Sequence, residues 1–288
     1  MSLVPVPPQE GSPAWTGGYS IVCIAAIAGF AASVIFLAFP EIDIGFSRLF
    51  YLGGGHFLFG KSGLGAGIRD FIEFLFLLAC LGALAGFIAA AFFDRKPMGV
   101  SFLVWAYIAL CVAVGPGIVA NLLFKDHWGR ARPSQIVEFG GTKRFTPPLL
   151  RTDQCDRNCS FISGEASNIF ILGYAAAFLG APTRRRQILL AAIAAGGFVG
   201  LIRIGGGGHF LSDVIFAGIF MLLIARGLAW LMLERSAPYL ADGSPFHQTT
   251  LRMGRKSAFR TLQLWNRSRR YWRQKQPLRA AGRVLRRH

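Results

Sequence analysis

Six stretches of the chain are apolar almost without interruption, and the polar residues gather between them. They run from about Tyr19 to Pro40, Phe71 to Phe93, Val100 to Phe124, Glu165 to Gly180, Ile188 to Ile204 and Phe210 to Leu233. At a rise of about 1.5 Å per residue, stretches of this kind cross a hydrocarbon core about 30 Å thick. The fourth and fifth are the shortest and are expected to extend into their flanking loops. Glycine and alanine inside the runs favour close helix contacts, because small residues let backbones approach in lipid. The predicted fold class is an all-α integral membrane bundle of six transmembrane helices.

Composition agrees with the pattern. The 288 residues are 53% hydrophobic and 16% charged, with a mean hydropathy of +0.46, too apolar for an ordinary soluble globule. Basic residues near the span ends set the orientation, since lysine and arginine are retained on the cytoplasmic side. Arg95 and Lys96, the run Arg184, Arg185 and Arg186, and the segment after the sixth run all fall on one side. This places both termini in the cytoplasm and residues 41–70, 125–164 and 204–209 on the outer face. The expected organisation is an N-terminal cytoplasmic segment over 1–18, a six-span domain over 19–233 and a basic tail over 234–288. The first run lacks a basic n-region and a small-residue cleavage site, so it reads as an anchor rather than a removable signal.

The tail carries 14 Lys and Arg against two acids, a net +12 of the chain's +17. With Phe259, Leu262, Trp265, Tyr271 and Trp272 it suits an anionic leaflet; a solvated positive-inside tail is an equal reading. Its basic residues follow no nucleic-acid reader motif, and no nucleic-acid partner is expected. Cys23, Cys80 and Cys111 lie within the runs, where a free thiol packs as a small hydrophobe. Cys155 and Cys159 lie four apart in a polar outer loop, where a disulfide is expected. A metal pair competes, but no further Cys or well-spaced His completes a site nearby.

Charged residues gather at three outer span ends, where they are default candidates for function. The first cluster is Lys125-Asp126-His127-Trp128-Gly129-Arg130-Ala131-Arg132-Pro133, and the second is Asn158-Cys159-Ser160-Phe161-Ile162-Ser163-Gly164-Glu165. The third is Arg203-Ile204 followed by four glycines and His209-Phe210-Leu211-Ser212-Asp213. Lys125, Arg130, Arg132 and Arg203 are cationic donors suited to a phosphate. Ser163 and the amides of Gly164 and Glu165 open a helix and add an anion site. His209 and Asp213 share a face if the sixth helix has begun by His209, which lets the aspartate fix one ring nitrogen and free the other as nucleophile or base. The substrate is expected to be anionic.

Together these residues resemble the type 2 phosphatidic acid phosphatase (PAP2) superfamily, whose pattern is K-x6-RP, PSGH and SR-x5-H-x3-D. The first element is complete from Lys125 to Arg132-Pro133. The third keeps Arg203, His209 and Asp213 with Ile202 in place of serine; the middle keeps Ser163-Gly164, with Ile162 for proline and Glu165 for histidine. The resemblance covers about residues 19 to 233. It implies a metal-independent, cofactor-free phosphatase acting at the outer membrane surface through a phosphohistidine on His209. Asp213 would orient His209, while Lys125, Arg132, Ser163, Gly164 and Arg203 would hold the phosphate oxygens.

Glu165 stands where the family places its general acid. Three roles stay open: a protonated acid, an ionised residue orienting water or an arginine, or a contact to a cationic substrate group. Neighbouring cations favour the ionised orienting role, and His127 is either a substitute acid or an ordinary surface histidine. The middle variant resembles the lipid A phosphatase branch, which implies a phosphorylated lipid substrate, 1- or 4′-dephosphorylation and a bacterial inner membrane with a periplasmic site. Polyprenyl diphosphate and phosphatidylglycerophosphate are alternative substrates, and a non-hydrolytic lipid-binding or transport protein is the alternative class. Finally, Gly53-Gly54-Gly55-His56-Phe57-Leu58 repeats the six residues Gly206 to Leu211, a likeness read as a shared glycine turn within an interfacial loop over Phe46 to Phe59.

Overall fold

The computed structural model describes residues 13–60, 63–254, 256 and 263–265. The expectations for most of the N-terminal segment 1–18, and for the tail beyond residue 265, fall outside them. The described chain is mostly helical. Five helices are long and apolar enough to cross a membrane: Ser20–Ala38, Gly65–Phe93, Phe102–Lys125, Pro182–Gly205 and Leu211–Arg235. A sixth apolar helix, Gly164–Leu179, is shorter.

The long helices α1 (Pro13–Ala38) and α3 (Leu64–Phe93) turn large apolar side chains outward, among them Ile27, Phe30, Phe71 and Leu81. In a membrane protein that surface meets lipid, so its exposure carries no hydrophobic penalty. Cys23 is exposed on the same surface rather than buried, Cys80 is half-buried, and Cys111 is buried. The short helix α5 (Gly164–Leu179) is central, packing on α6 (Arg185–Gly205), α7 (Leu211–Leu228) and α4 (Phe102–Val112). Small residues set these approaches. A Cβ on Gly196 of α6 would come within 2.4 Å of the Phe170 ring of α5.

Two helices change pitch. The α4 helix runs on as a π-helical stretch over Ala113–Lys125, which contains Pro116. Proline lacks the N–H for the usual ladder and crowds the carbonyl of the preceding turn, and a wider turn accommodates both. The α7 helix continues likewise over Ala229–Arg235.

The loop before α3 is structured. Helix α2 (Glu41–Arg48) buries Asp43 and Ser47 while Ile42 and the following Leu49 stay exposed, so its polar face points inward. After it comes a hairpin of β1 (Tyr51–Gly53) and β2 (His56–Phe57), a small departure from the all-α expectation. The two glycine-rich repeats meet: Phe59 N donates to Gly205 O at 2.8 Å, and the Phe57 ring lies against Gly207.

At the opposite end, α8 (Ala237–Leu240) and helical residues 245–254 fold back under α3 and α4. Asp242 accepts from Phe102 N, the first amide of α4, at 2.9 Å and pairs with Lys96 at 2.8 Å. His247 is buried, stacks on Phe102 and contacts Ala90 O at 3.1 Å. The beginning of the basic tail is thus part of the bundle. Asp242→Ala removes a helix cap and is expected to cost about 1 kcal/mol, read as a lowered Tm in detergent.

Candidate active site

Backbone hydrogen bonds strap the three polar segments together before any side chain contributes. Cys159 N donates to Lys125 O at 2.9 Å and Ser160 N to Arg130 O at 2.8 Å, joining the first segment to the second. Ser163 N donates to Asp213 O at 3.2 Å, joining the second to the third, and Ser134 N donates to Gly207 O at 3.0 Å, joining the third to the first. Lys125 ends the π-helical stretch, Ser163 precedes α5, and His209 lies two residues ahead of α7. The sequence reading put His209 and Asp213 on one helical face on condition that the helix had begun by His209; here it begins at Leu211, after His209.

His209 is fully buried. Its Nδ1 lies 2.7 Å from Ser160 O and 3.7 Å from Asp213 Oδ2, so the direct hydrogen bond goes to the carbonyl. Asp213 Oδ2 accepts from the Ser160 hydroxyl and from Phe210 N, which places the carboxylate behind both partners. On the other edge of the ring, Nε2 faces Glu165 Oε2 at 3.3 Å, and Glu165 Oε1 lies 3.2 Å from Arg203 Nε. Glu165 therefore bridges the histidine and an arginine.

The cations approach closely because two glycines leave room. A Cβ on Gly164 would lie 2.5 Å from Lys125 Nζ, and one on Gly208 would lie 2.7 Å from an Arg203 guanidinium nitrogen. Any larger residue would displace the charge. The Ser163 hydroxyl is buried and has no hydrogen-bond partner among the described residues, at the N-terminus of α5 where free amides favour an anion. A buried, unpaired donor costs stability unless a ligand takes it.

Arg132 donates to the carbonyl and the side-chain oxygen of Asn158, both at 2.8 Å, and burial lowers its pKa from the usual guanidinium value. Asn158 sits in the loop closed by a disulfide between Cys155 and Cys159. Replacing both cysteines with serine frees the loop that anchors Arg132. The expected result is a KM raised about tenfold with kcat little changed, the pattern of lost uniform binding, measured by steady-state kinetics on purified protein.

Two sequence readings need correction. Arg130, grouped there with the phosphate donors, is fully buried with its guanidinium committed: NH1 to Asp213 Oδ1 at 2.6 Å, NH2 to Asp43 Oδ2 at 2.8 Å and Nε to Thr146 O at 2.9 Å. Its charge is met by two buried carboxylates rather than left for a substrate. His127, the substitute acid, is exposed, holds Nδ1 against Leu122 O at 2.6 Å, and does not line the cavity beside the site. Two residues with no sequence signal join the site: Ser160, through its carbonyl and hydroxyl, and Asp43, 169 residues from its partner Ser212. Burial pushes the Asp43 carboxyl above the usual range while Arg130 pulls the other way.

The cavity of about 760 Å³ beside the cations is lined by His56, Arg69, Arg132, Asn158, Arg203 and the Gly206–Gly208 turn. Its volume is that of a site for a whole small molecule rather than for a lone phosphate. Among the described residues no group of three or more His, Cys, Asp or Glu side chains gathers as a metal site.

Residues 103–237 match the PAP2 superfamily. The chain is 35% identical over 219 residues to the lipid A 4′-phosphatase of Francisella tularensis subsp. novicida (strain U112), covering 76% of this chain and 98% of that one. It is 31% identical over 212 residues to the lipid A 4′-phosphatase of Rhizobium leguminosarum, covering 69% and 90%. It is 29% identical over 221 residues to that of Rhizobium etli, covering 69% and 82%. No solved structure matches the chain.

Proposed function

This chain belongs to the PAP2 superfamily, and from that premise we propose that it is a membrane lipid A phosphatase removing the 4′-phosphate. The observation that carries the reading is the buried His209, with Lys125, Arg203 and the unpaired Ser163 hydroxyl gathered around α5's first turn and Arg132 on the adjoining cavity wall. The relatives' names supply the lipid and the position. The 760 Å³ cavity supports a sugar-sized head group. We place α5 as a sixth, short span and the site at the periplasmic face of the inner membrane. Arg95, Lys96 and Arg184 to Arg186 then lie in the cytoplasm.

The chemistry follows from the hydrogen bonds. A carbonyl only accepts, so Ser160 O fixes a proton on Nδ1 and leaves Nε2 as nucleophile. In the resting site one proton between Nε2 and Glu165 Oε2 serves both groups. When phosphate enters among the cations, Glu165 takes that proton and frees the Nε2 lone pair. The N–P bond forms as the P–O bond to the sugar breaks, and the departing oxygen receives the proton from Glu165. Water, deprotonated by Glu165, then breaks the N–P bond, releasing inorganic phosphate and regenerating His209. Lys125, Arg132, Arg203, Ser163 and the Gly164 amide hold the equatorial oxygens, so catalysis rests on positioning and fixed charge.

Mass spectrometry of lipids from cells with and without the chain tests the proposal. Loss of one phosphate, located to the 4′ position by fragmentation, is the expected result. Loss at the 1 position, or from polyprenyl diphosphate or phosphatidylglycerophosphate instead, would reject the substrate and keep the reaction.

A further inference from the structure

We propose that Asp43, on the short outer helix α2, is a positioning residue for this reaction, acting on His209 through Arg130 and Asp213; the inference rests on the phosphohistidine reading above. Asp43 is wholly buried, as are Arg130, Ser212, Asp213, Ser160 and His209. Its Oδ2 accepts from Arg130 NH2 and from the Ser212 hydroxyl, and its Oδ1 accepts from Ser212 N at 2.9 Å. Arg130 NH1 reaches Asp213 Oδ1 at 2.6 Å, and Asp213 Oδ2 holds Ser160, whose carbonyl fixes His209 Nδ1. Three charge-assisted hydrogen bonds thus run from α2 to Ser160, whose backbone carbonyl meets the nucleophile.

The charges explain why a second carboxylate is present. Arg130 is one cation between two buried anions. Without Asp43 its field would fall on Asp213 alone and neutralise the carboxylate that stands 3.7 Å from the imidazole. That carboxylate matters most when the N–P bond forms, because the ring, already protonated at Nδ1, then turns cationic. Asp43 shares Arg130 and leaves Asp213 with net negative charge toward His209. It also accepts from Ser212 N in the first turn of α7, an amide without an intrahelical partner, which fixes the end of the helix that carries Asp213.

The arrangement on α2 supports a role beyond packing. The helix turns Asp43 and Ser47 inward and keeps Ile42 exposed, the reverse of a soluble amphipathic helix. Burying an aspartate is costly unless it is paired, and an apolar residue at this position would dock the helix without that cost. The Arg130 guanidinium also lies over the Phe210 ring, 4.3 Å from its centroid, a cation–π contact that adds to its hold between the two carboxylates.

The test uses the full chain in detergent with the lipid substrate. Asp43→Asn keeps the shape and removes the charge. It is expected to lower kcat about 100-fold, as loss of a fixed catalytic charge does, with KM within about twofold. In single-turnover rapid quench, phosphohistidine formation should slow by the same factor. Met232→Ala, a buried change at the far end of the bundle, serves as the stability control: matched for loss of Tm, it should keep wild-type kcat. If Asp43→Asn fails to fold, Ser212→Ala removes the hydroxyl's two hydrogen bonds, to Asp43 and from Arg130, and strands no charge; it should slow phosphohistidine formation about 3-fold to 10-fold. Wild-type kcat in either variant, or an equal kcat loss in Met232→Ala, overturns the proposal. No phosphohistidine in the wild-type protein overturns the underlying reading, and this one with it.

Discussion

His209→Ala is expected to reduce phosphate release by at least about 10⁴-fold, the scale on which removing a nucleophile acts. The substitution should leave binding intact. Lys125, Arg132, Arg203 and the Ser163 hydroxyl owe their positions to Gly164, Gly208, Asn158 and the start of α5, none of which depends on the imidazole. Lipid binding to the inactive protein should therefore stay within a few-fold of wild type, with Glu165 keeping its contact to Arg203. Burst measurements with radiolabelled lipid A would read the first claim and vesicle co-sedimentation the second. Equal phosphate release by His209→Ala and wild type would remove the enzyme reading and restore a lipid-binding or transport protein on this scaffold.

The sequence made the bundle legible because uncharged runs of membrane length have few alternatives: backbone groups in lipid must pair internally, and helices do so locally. It also made legible the residues that gather at the candidate site, since Lys125, Arg132, Ser163, Gly164, Arg203, His209 and Asp213 lie in recognisable spacings. Their supporting contacts were not legible. Asp43 reads as one acid in a loop, and only folding sets it beside Ser212, 169 residues away. Arg130 shows the same gap from the other side. Two positions before Arg132 it has the same charge and looks like a second phosphate ligand, but the chain turns it inward between two carboxylates. The glycine-rich repeat at Gly53 to Leu58 read only as a shared turn, and the fold lays it against its counterpart through Phe57 and Gly207. Short-range spacing reports which residues converge, while the contacts that aim them are long-range and leave no periodicity.

Glu165→Gln is the second large effect and separates the roles left open for that carboxylate. If Glu165 returns to the leaving oxygen the proton it takes from Nε2, the amide cannot replace it. The lipid reaction should then slow about 10²-fold to 10³-fold, within the range for general acid catalysis. An aryl phosphate leaves as a stabilised phenolate and needs no proton, so its phosphohistidine should form at a rate within about tenfold of wild type. The hydrolysis step also uses Glu165, and phosphohistidine should accumulate on the variant with that substrate. Glu165→His installs the residue that PAP2 sequences carry at this position. With an ordinary pKa of about 6.5, it should recover part of the lipid rate, with less recovered as Arg203 and Lys125 disfavour the imidazolium. Equal slowing of phosphohistidine formation on lipid and aryl substrates would rule out proton donation. The bridge from Arg203 to His209 would then remain as the residue's whole contribution, holding the arginine and the nucleophile in register. Because the resting contact to Nε2 is 3.3 Å and the one to Arg203 is 3.2 Å, the carboxylate reaches both partners without moving. The leaving-group dependence shows whether the proton moves through it.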